Sequence, residues 1–323
     1  MKTCALDFLV CPACRDPLAL RVEATDGGEV MTGGLRSPGC GREYPILRGV
    51  PRFVDSQAYA SSFGFQWNRF ARVQLDSFNG TRQSERTLEA TTGWRAEDYR
   101  GRRVLDAGVG AGRFAEVAAT HGGEVVGVDL TTAVDAAWAN VGRHPRVHLL
   151  QADIFAMPFR PGSFDLAYSM GVLHHTPDTR AAFGRVAGMV KPGGGLAVYL
   201  YAKNAPSEHF SDGIRMLTTR LPPRLMLALA ALAVPLYYPY RLPGIGKVLD
   251  IVCPISMHPD WRWRWLDTFD WYTPRYQWKL VYPEVFRWFR ENGFADVEVF
   301  DGPIRMSGLK AAGEPRALLR SAS

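Results

Sequence analysis

Apolar and polar positions along this chain follow two periods, and the change from one to the other marks its elements. Val104 and Leu105 lead into Asp106-Ala107 and a glycine-rich turn, Gly108-Val109-Gly110-Ala111-Gly112, after which Phe114, Val117 and Ala118 fall at helical spacing. Val125-Val126-Gly127-Val128 is a second continuous apolar run, and it closes on Asp129. Strand, turn, helix and strand make half of a mononucleotide-binding βαβ unit. Downstream, Val147 to Asp153 predicts a third strand. Phe164 to Ser169 predicts a fourth, entered through Pro161-Gly162-Ser163, and Leu196 to Tyr201 a fifth, with Lys191-Pro192-Gly193-Gly194-Gly195 as the helix stop before it. Thr131 and Thr132 are capping residues for a helix over Ala133 to Val141. Pro283 to Asn292 reads as a helix stopped by Gly293, Asp296 to Phe300 as an alternating strand, and Ile304 to Lys310 as a last, antiparallel one, with a frayed tail beyond Gly313.

Elsewhere the pattern changes. Residues 1–55 read as a separate small unit, and Thr81 to Tyr99 as a helix broken at Gly93. Phe63 to Phe70 is aromatic-rich and helical after Gly64. Residues 203–281 form a long insertion after the fifth strand. Within it Leu225 to Tyr240 carries no charge, is interrupted by Pro235 and Pro239, and falls short of the roughly 20 residues of a membrane span. Two readings stand for this tract: a helix buried against the core, or one lying on a membrane surface or lining a lipid-accepting groove between Arg215, Arg220, Arg224 and Arg241. The alternating Trp and Arg of Trp261 to Trp265 fit base stacking and phosphate contact, an aromatic wall for a sugar or isoprenoid, or plain packing.

With 323 residues, 47% hydrophobic and 22% charged, the chain has the composition of a soluble globular protein with room for one full core and a further module. A net charge of +6 suits nucleic acid, anionic lipid or an acidic small molecule, and so excludes none of them. Met1 to Val10 contains Asp7 and no sustained apolar core, so it does not read as a signal peptide. Five cysteines, three of them near a Cys-x-x-Cys pattern, are read as reduced thiols in a cytoplasmic protein. The alternate glycines let backbone approach a ligand where a Cβ would collide, and the following helix points its first N–H groups there. Asp129 suits the hydroxyl pair of a ribose, and Asp153 an adenine amino group. His174 and His175 occupy the loop after the fourth strand, where open α/β sheets place their chemistry; His258 in the insertion is a third proton-transfer candidate.

Asp106-x-Gly108-x-Gly110-x-Gly112, Ala152-Asp153 and Val190-Lys191-Pro192-Gly193-Gly194 together resemble the class I S-adenosylmethionine-dependent methyltransferases, of the methyltransferase type 11 kind, over residues 60 to 202. Val109 stands where many relatives carry Cys, and the dehydrogenase spacing G-x-G-x-x-G is absent. The resemblance implies an α/β, Rossmann-like, doubly wound seven-stranded sheet whose last strand is antiparallel, with S-adenosyl-L-methionine as cofactor. It implies a cofactor cleft held by Asp106, Gly108, Gly110, Gly112, Asp129 and Leu130, with Asp153, Ile154 and Met170 further along. Gln66 and Trp67 would belong to a lid over the cofactor, the other reading of that segment being an amphipathic helix packed on the sheet. Relatives carry Val-Leu-His-His whatever their substrate, which implies an architectural role for His174 and His175.

Asp267 to Tyr276 looks like a D-x-x-D-x-Y-x-P-x-Y pattern of a bacterial methyltransferase group, implying Trp271, Tyr272 and Tyr276 as substrate-pocket residues. Cys11-Pro12-Ala13-Cys14, Pro38 to Pro45 and Tyr44 to Pro51 resemble the small zinc ribbon (Trm112-like) that precedes many methyltransferases. Its zinc ligands here would be Cys11, Cys14 and Cys40; Ser37 holds the place of a fourth, and Cys4 serves only if the N-terminal segment folds back. Either zinc is retained, or the ribbon survives on its apolar core.

The division expected is 1–55 ribbon, 56–100 lid and helices, 101–202 core, 203–281 substrate-binding insertion and 282–323 completing helix and strands. The function implied is methyl transfer to the O, N or C atom of a small-molecule or lipid-linked biosynthetic intermediate, with a base needed for an alcohol or carbon acid. RNA methylation with the ribbon docking the nucleic acid, and a non-catalytic, partner-activating cofactor binder, are the alternatives. The expected setting is cytoplasmic, with peripheral membrane contact.

Overall fold

The computed structural model describes residues 1–54, 60–203 and 207–313; the tail read as frayed lies outside them. The N-terminal unit is an antiparallel sheet of β1 (Ala19–Asp26), β2 (Glu29–Arg36), β3 (Glu43–Leu47) and β4 (Val50–Pro51), in sequence order. β1 turns into β2 through Gly27 and Gly28, whose φ values of 57° and 79° give a two-residue hairpin loop.

The second sheet has seven strands: β5 (Arg103–Ala107), β6 (Glu124–Asp129), β7 (Val147–Gln151), β8 (Phe164–Met170), β9 (Val190–Tyr199), β10 (Phe294–Phe300) and β11 (Arg305–Lys310). Their order is β10-β11-β9-β8-β5-β6-β7, with β11 antiparallel to both neighbours. The chain winds outward from β5 to β7 and returns to place β8 against the other side of β5. That reversal is the switch point at which doubly wound sheets open a crevice. Alternate residues of each strand serve opposite faces: Val104 and Val125 join the core that packs the helices Arg113–Thr120 and Ala133–Val141, while Leu105 and Val126 join the one under Thr179–Met189 and Tyr282–Glu291.

The ribbon shares this second core. Phe8, Leu9, Leu35 and Ile46 are buried in one cluster with Phe159 and Phe164. Leu9 bridges to Phe159 and Arg52 to Gln151, so the ribbon covers the outer edge of β7. Arg52, 8% exposed, donates to Gln151 Oε1 (2.9 Å) and Asp135 Oδ1 (2.6 Å).

Some local expectations shift. The helix expected after Gly64 spans Ser61–Arg69; a Cβ at Gly64 would stand 2.5 Å from Thr132 Oγ1, so glycine permits that contact inside a helix. The fifth core strand begins before its glycines. The β8–β9 register jumps from Phe164↔Val190 to Leu166↔Gly195 across a bulge, and the strand ends at Tyr199, leaving Leu200 and Tyr201 beyond it. Gly93, at φ 71°, separates the helices Gln83–Thr92 and Ala96–Tyr99.

The insertion folds as Ser207–Thr218, Pro223–Ala230, Ala233–Tyr240, Ile245–Val252 and Trp261–Tyr272. Its apolar tract is therefore two short helices, each half buried, and not one buried helix. No helix of the described residues is long and apolar enough to cross a membrane. Asp260 caps Trp261–Tyr272, accepting from the N–H groups of Arg262 (2.8 Å) and Trp263 (3.0 Å). Arg264 is buried and donates to the carbonyls of His258, Pro259 and Val234, so packing accounts for that part of the Trp-Arg alternation.

Candidate functional site

The carboxyl ends of β5, β6 and β8, with Ser61–Arg69 and Trp261–Tyr272 against them, enclose a cavity of about 370 Å³, within the range of small-molecule sites. The glycine turn forms part of its wall, and its three glycines have positive φ for different reasons. A Cβ at Gly108 would come 2.4 Å from Val172 and one at Gly112 2.9 Å from Val141, so these two are required by packing. Gly110 opens onto the cavity opposite Trp67, and a Cβ there would crowd the Trp67 ring at 3.3 Å. Its N–H donates to Asp129 Oδ2 (3.0 Å), while Asp129 Oδ1 accepts from the Thr131 N–H (2.9 Å) and hydroxyl (2.8 Å). Asp129 is thus held rigidly at the cavity wall; burial raises its pKa and these bonds oppose the rise.

Leu130, Ile154, Met170, Gln66 and Trp67 also line the cavity. Asp106, Gly112 and Asp153 do not. Asp106 is 1% exposed behind the turn, accepts from the Tyr168 hydroxyl (3.1 Å), and is pushed up to about 7 by burial. The Asp153 carboxylate accepts from the Phe155 N–H (2.9 Å) as the cap of Ile154–Ala156.

The histidines separate. His175 lines the cavity; its Nδ1 lies 2.8 Å from the Tyr276 carbonyl, so Nδ1–H donates there and Nε2 is left without a partner among the described residues. Burial pulls it down to about 4, so the ring is neutral near pH 7. His174 is fully buried off the cavity, stacked on Tyr201 at 4.0 Å between centroids, and burial pulls its pKa well down too. His258 also lies off the cavity, stacked on Trp263 with Nε2 3.1 Å from Gln83 Oε1. Of the three expected substrate residues, Trp271 lines the cavity. Tyr272 turns to the insertion, donating to the Pro254 carbonyl (2.8 Å), because it follows Trp271 by about 100° around the helix. Tyr276 contributes its carbonyl to His175 and lies outside the cavity lining.

Sequence reasoning passed over the two groups with the most marked environment. Asp267 and Asp270 are three residues apart on Trp261–Tyr272 and both line the cavity. Asp270 accepts from Gln66 Nε2 (3.0 Å) and the Tyr201 hydroxyl (3.5 Å), and burial raises it to about 6. Asp267 accepts from Gln74 Nε2 (3.3 Å) and the Ser256 hydroxyl (3.2 Å); burial and the neighbouring Asp270 charge raise it to about 7 against the pull of Arg113. Arg113, the first residue after the glycine turn, enters the same cavity and donates to Gln74 Oε1 (2.6 Å). Two acids in an otherwise aromatic and basic run were the available signal.

In the ribbon, the sulfur atoms of Cys11, Cys14 and Cys40 lie within 4.8 Å of one another, with Cys11 and Cys40 3.6 Å apart; Cys4 stands outside this cluster. A tetrahedral zinc with ~2.3 Å bonds sets its sulfurs about 3.8 Å apart, so the spacing fits. The buried Ser37 hydroxyl lies 3.1 Å from Cys14 Sγ and accepts from the Cys40 N–H at 3.4 Å, beside the cluster. Burial works to raise the Cys11 thiol, yet the Tyr44 hydroxyl and the Cys14 and Ala13 N–H groups bring it down to about 6.

A switch-point crevice with a glycine turn at the end of its first strand and a bonded carboxylate at the end of its second defines a nucleoside-binding α/β protein. Comparison with known proteins narrows the class: residues 105–198 match the methyltransferase domain family and residues 5–49 the Trm112p-like protein family. The O-methyltransferase resE of Aspergillus sclerotiorum is 31% identical over 162 residues, covering 44% of this chain and 61% of that protein. The O-methyltransferase rstn1 of Aspergillus nomiae is 30% identical over 162 residues, with 44% and 72% covered. The ubiquinone biosynthesis O-methyltransferase of Thiobacillus denitrificans is 35% identical over 111 residues, with 33% and 47% covered, so the match takes in about half of its length. Among solved structures, Synechocystis magnesium protoporphyrin IX methyltransferase with bound SAH aligns at 16% identity and a TM-score of 0.46, covering 79% of this chain and 98% of that one. The chain belongs to the S-adenosylmethionine-dependent methyltransferases and carries a Trm112-like ribbon in front of the methyltransferase sheet.

Proposed function

We propose that this protein methylates a small, largely apolar acceptor, a lipid-linked intermediate among them, at an oxygen, nitrogen or acidic carbon. The observation that carries the reading is a single cavity joining the glycine turn and Asp129 to aromatic side chains and two carboxylates. The residues fit the cofactor: Gly110 presents backbone without a Cβ, Asp129 offers a fixed carboxylate for ribose hydroxyls, and the buried Gln66 Oε1 has hydrogen-bonding capacity to spare among the described residues. When bound, the cofactor supplies an electrophilic methyl group on a sulfonium. Positive charge disperses as that methyl moves, so alignment and exclusion of water dominate, and Trp67, Trp263, Trp271, Phe63, Tyr199 and Tyr201 provide the walls for both.

An acceptor hydroxyl or amine must also lose a proton. Burial raises Asp270 to about 6 and pulls His175 down to about 4, so Asp270 lies nearer the operating pH at which a catalytic base works best. We therefore assign the proton to the Asp270–Asp267 pair and the orientation of the acceptor to His175 Nε2. The RNA reading loses part of its basis, because Arg264 is buried against carbonyls. Parallel calorimetric titrations with S-adenosylhomocysteine and NAD test the assignment of the cofactor: binding of the first alone supports it, and binding of NAD alone or of neither overturns it.

A further inference from the structure

The helices of the insertion are apolar on the side that should face water. Pro223–Ala230 turns Met226 and Ala230 inward and leaves Leu225 and Leu229 exposed, and Leu232 follows at 55% exposure. Ala233–Tyr240 buries Ala233 and Tyr240 but presents Leu236 and Tyr238, the latter 72% exposed. On Ile245–Val252 the stripe Ile245, Val248 and Val252 points outward, and on Ser207–Thr218 so do Met216 and Leu217, 70% and 67% exposed. Ser207–Thr218, Pro223–Ala230 and Ala233–Tyr240 pack on Trp261–Tyr272, and Ile245–Val252 packs on two of them, so these outer faces belong to one layer. A water-soluble surface rarely leaves this much apolar area uncovered.

The charges among these residues say what covers it. Among the described side chains of this layer Arg220, Arg224, Arg241 and Lys247 are exposed, against the acids Asp250 and Asp212, and Asp212 is already paired with Lys279 Nζ at 2.8 Å. A second copy of the chain, docked through the same face, would set this cationic rim against itself. An anionic lipid surface would take the apolar side chains between its headgroups and pair with the rim. Tyr237, under the Arg241 guanidinium at 5.5 Å, and Tyr238 are placed as interfacial tyrosines.

We propose that this layer docks the protein on an anionic lipid surface, and that the acceptor reaches the cavity from that surface. Trp261–Tyr272 connects the two: Trp263, Leu266 and Trp271 line the cavity, while Phe269 and Tyr272 lie in the cluster that packs Met226 and Ala230. Docking stands independently of catalysis, whereas delivery of the acceptor rests on the function proposed above. Co-sedimentation of the full chain with vesicles of phosphatidylcholine alone, and with added phosphatidylglycerol, tests it. Binding to the anionic vesicles is expected, weakening as salt is raised. Arg224→Gln with Lys247→Gln lowers partitioning roughly 5-fold per charge, about 30-fold together. Leu232→Glu with Val248→Glu, at exposed positions, abolishes it with the thermal melt and S-adenosylhomocysteine binding unchanged. No partitioning to anionic vesicles, or a stable lipid-free dimer that the Glu variants split, overturns the proposal. The S-adenosylhomocysteine titration reports separately on the methyltransferase reading, so a failure of either is told apart from the other.

Discussion

Asp129 and Asp270 are carboxylates in one cavity with opposite environments: the first is bonded by two backbone N–H groups and a hydroxyl, the second by an amide and a phenol alone. We expect Asp129→Ala to lower S-adenosylhomocysteine affinity about 10- to 100-fold, the worth of hydrogen bonds to a charged group, and to loosen the turn at Gly110. Calorimetry checks this; unchanged affinity would remove Asp129 from the cofactor site. For Asp270 the expectation is kinetic. As a base it must be ionised, so kcat/KM rises with pH through about 6. Asp270→Asn flattens that acid limb and lowers kcat roughly 10²- to 10⁴-fold, whereas His175→Gln, already neutral in this range, leaves the midpoint in place. The reverse pattern would return the proton to the histidine. Asp129 was legible because the signal is local, an acid ending an apolar run. Asp270 was not, because its partner Gln66 lies 204 residues away and its shift comes from burial.

Among the elements, the ribbon shows how far spacing reaches. Ser37 holds the place of the missing ligand in the sequence, and its hydroxyl does sit beside Cys14, next to the sulfur cluster. We expect the protein as purified to hold zinc through three thiolates, and Ser37→Cys to tighten it on the order of 10-fold or more, since a fourth thiolate replaces a neutral hydroxyl. Chelator competition and the charge-transfer band of the cobalt-substituted protein measure this; equal affinity in both variants would mean that this place is not used. The helix Ala133–Val141 is legible to the residue because its start is local: the hydroxyl of Thr131, just before the N-cap Thr132, accepts from the Ala133 N–H at 3.1 Å. The start of β9 was missed because a bulge is set by the partner strand, β8, and not by the glycines themselves.

For the whole molecule, burial of Asp106, Asp267 and Asp270 raises all three pKa values, to about 7, 7 and 6. In the unfolded chain the same groups titrate near 4. The folded state therefore binds their protons more tightly. Their contribution to stability is fully present below about pH 4 and is lost as pH rises through 6 to 7. The ligand-free protein should accordingly gain thermal stability from these groups between about pH 8 and 5, and the double variant Asp267→Asn, Asp270→Asn should lose much of that gain. Differential scanning calorimetry of the two proteins across that range decides it, and identical pH dependence would mean that the carboxylates are not desolvated as described.

The amino-acid sequence by itself determined the strand, turn and helix succession from β5 to β8, the placing of Gly110 and Asp129 at the cavity wall, and the cysteine cluster. Each of these rests on periodicity, capping or spacing within a short stretch of chain. Tertiary structure alone decided that the ribbon shares the core of the main sheet, that His174 and His175 are buried and neutral, that Tyr272 faces away while Asp267 and Asp270 face the cavity, and that the insertion is apolar on its outer side. Burial and ionisation are sums over neighbours that arrive from distant parts of the chain, and no local pattern carries them.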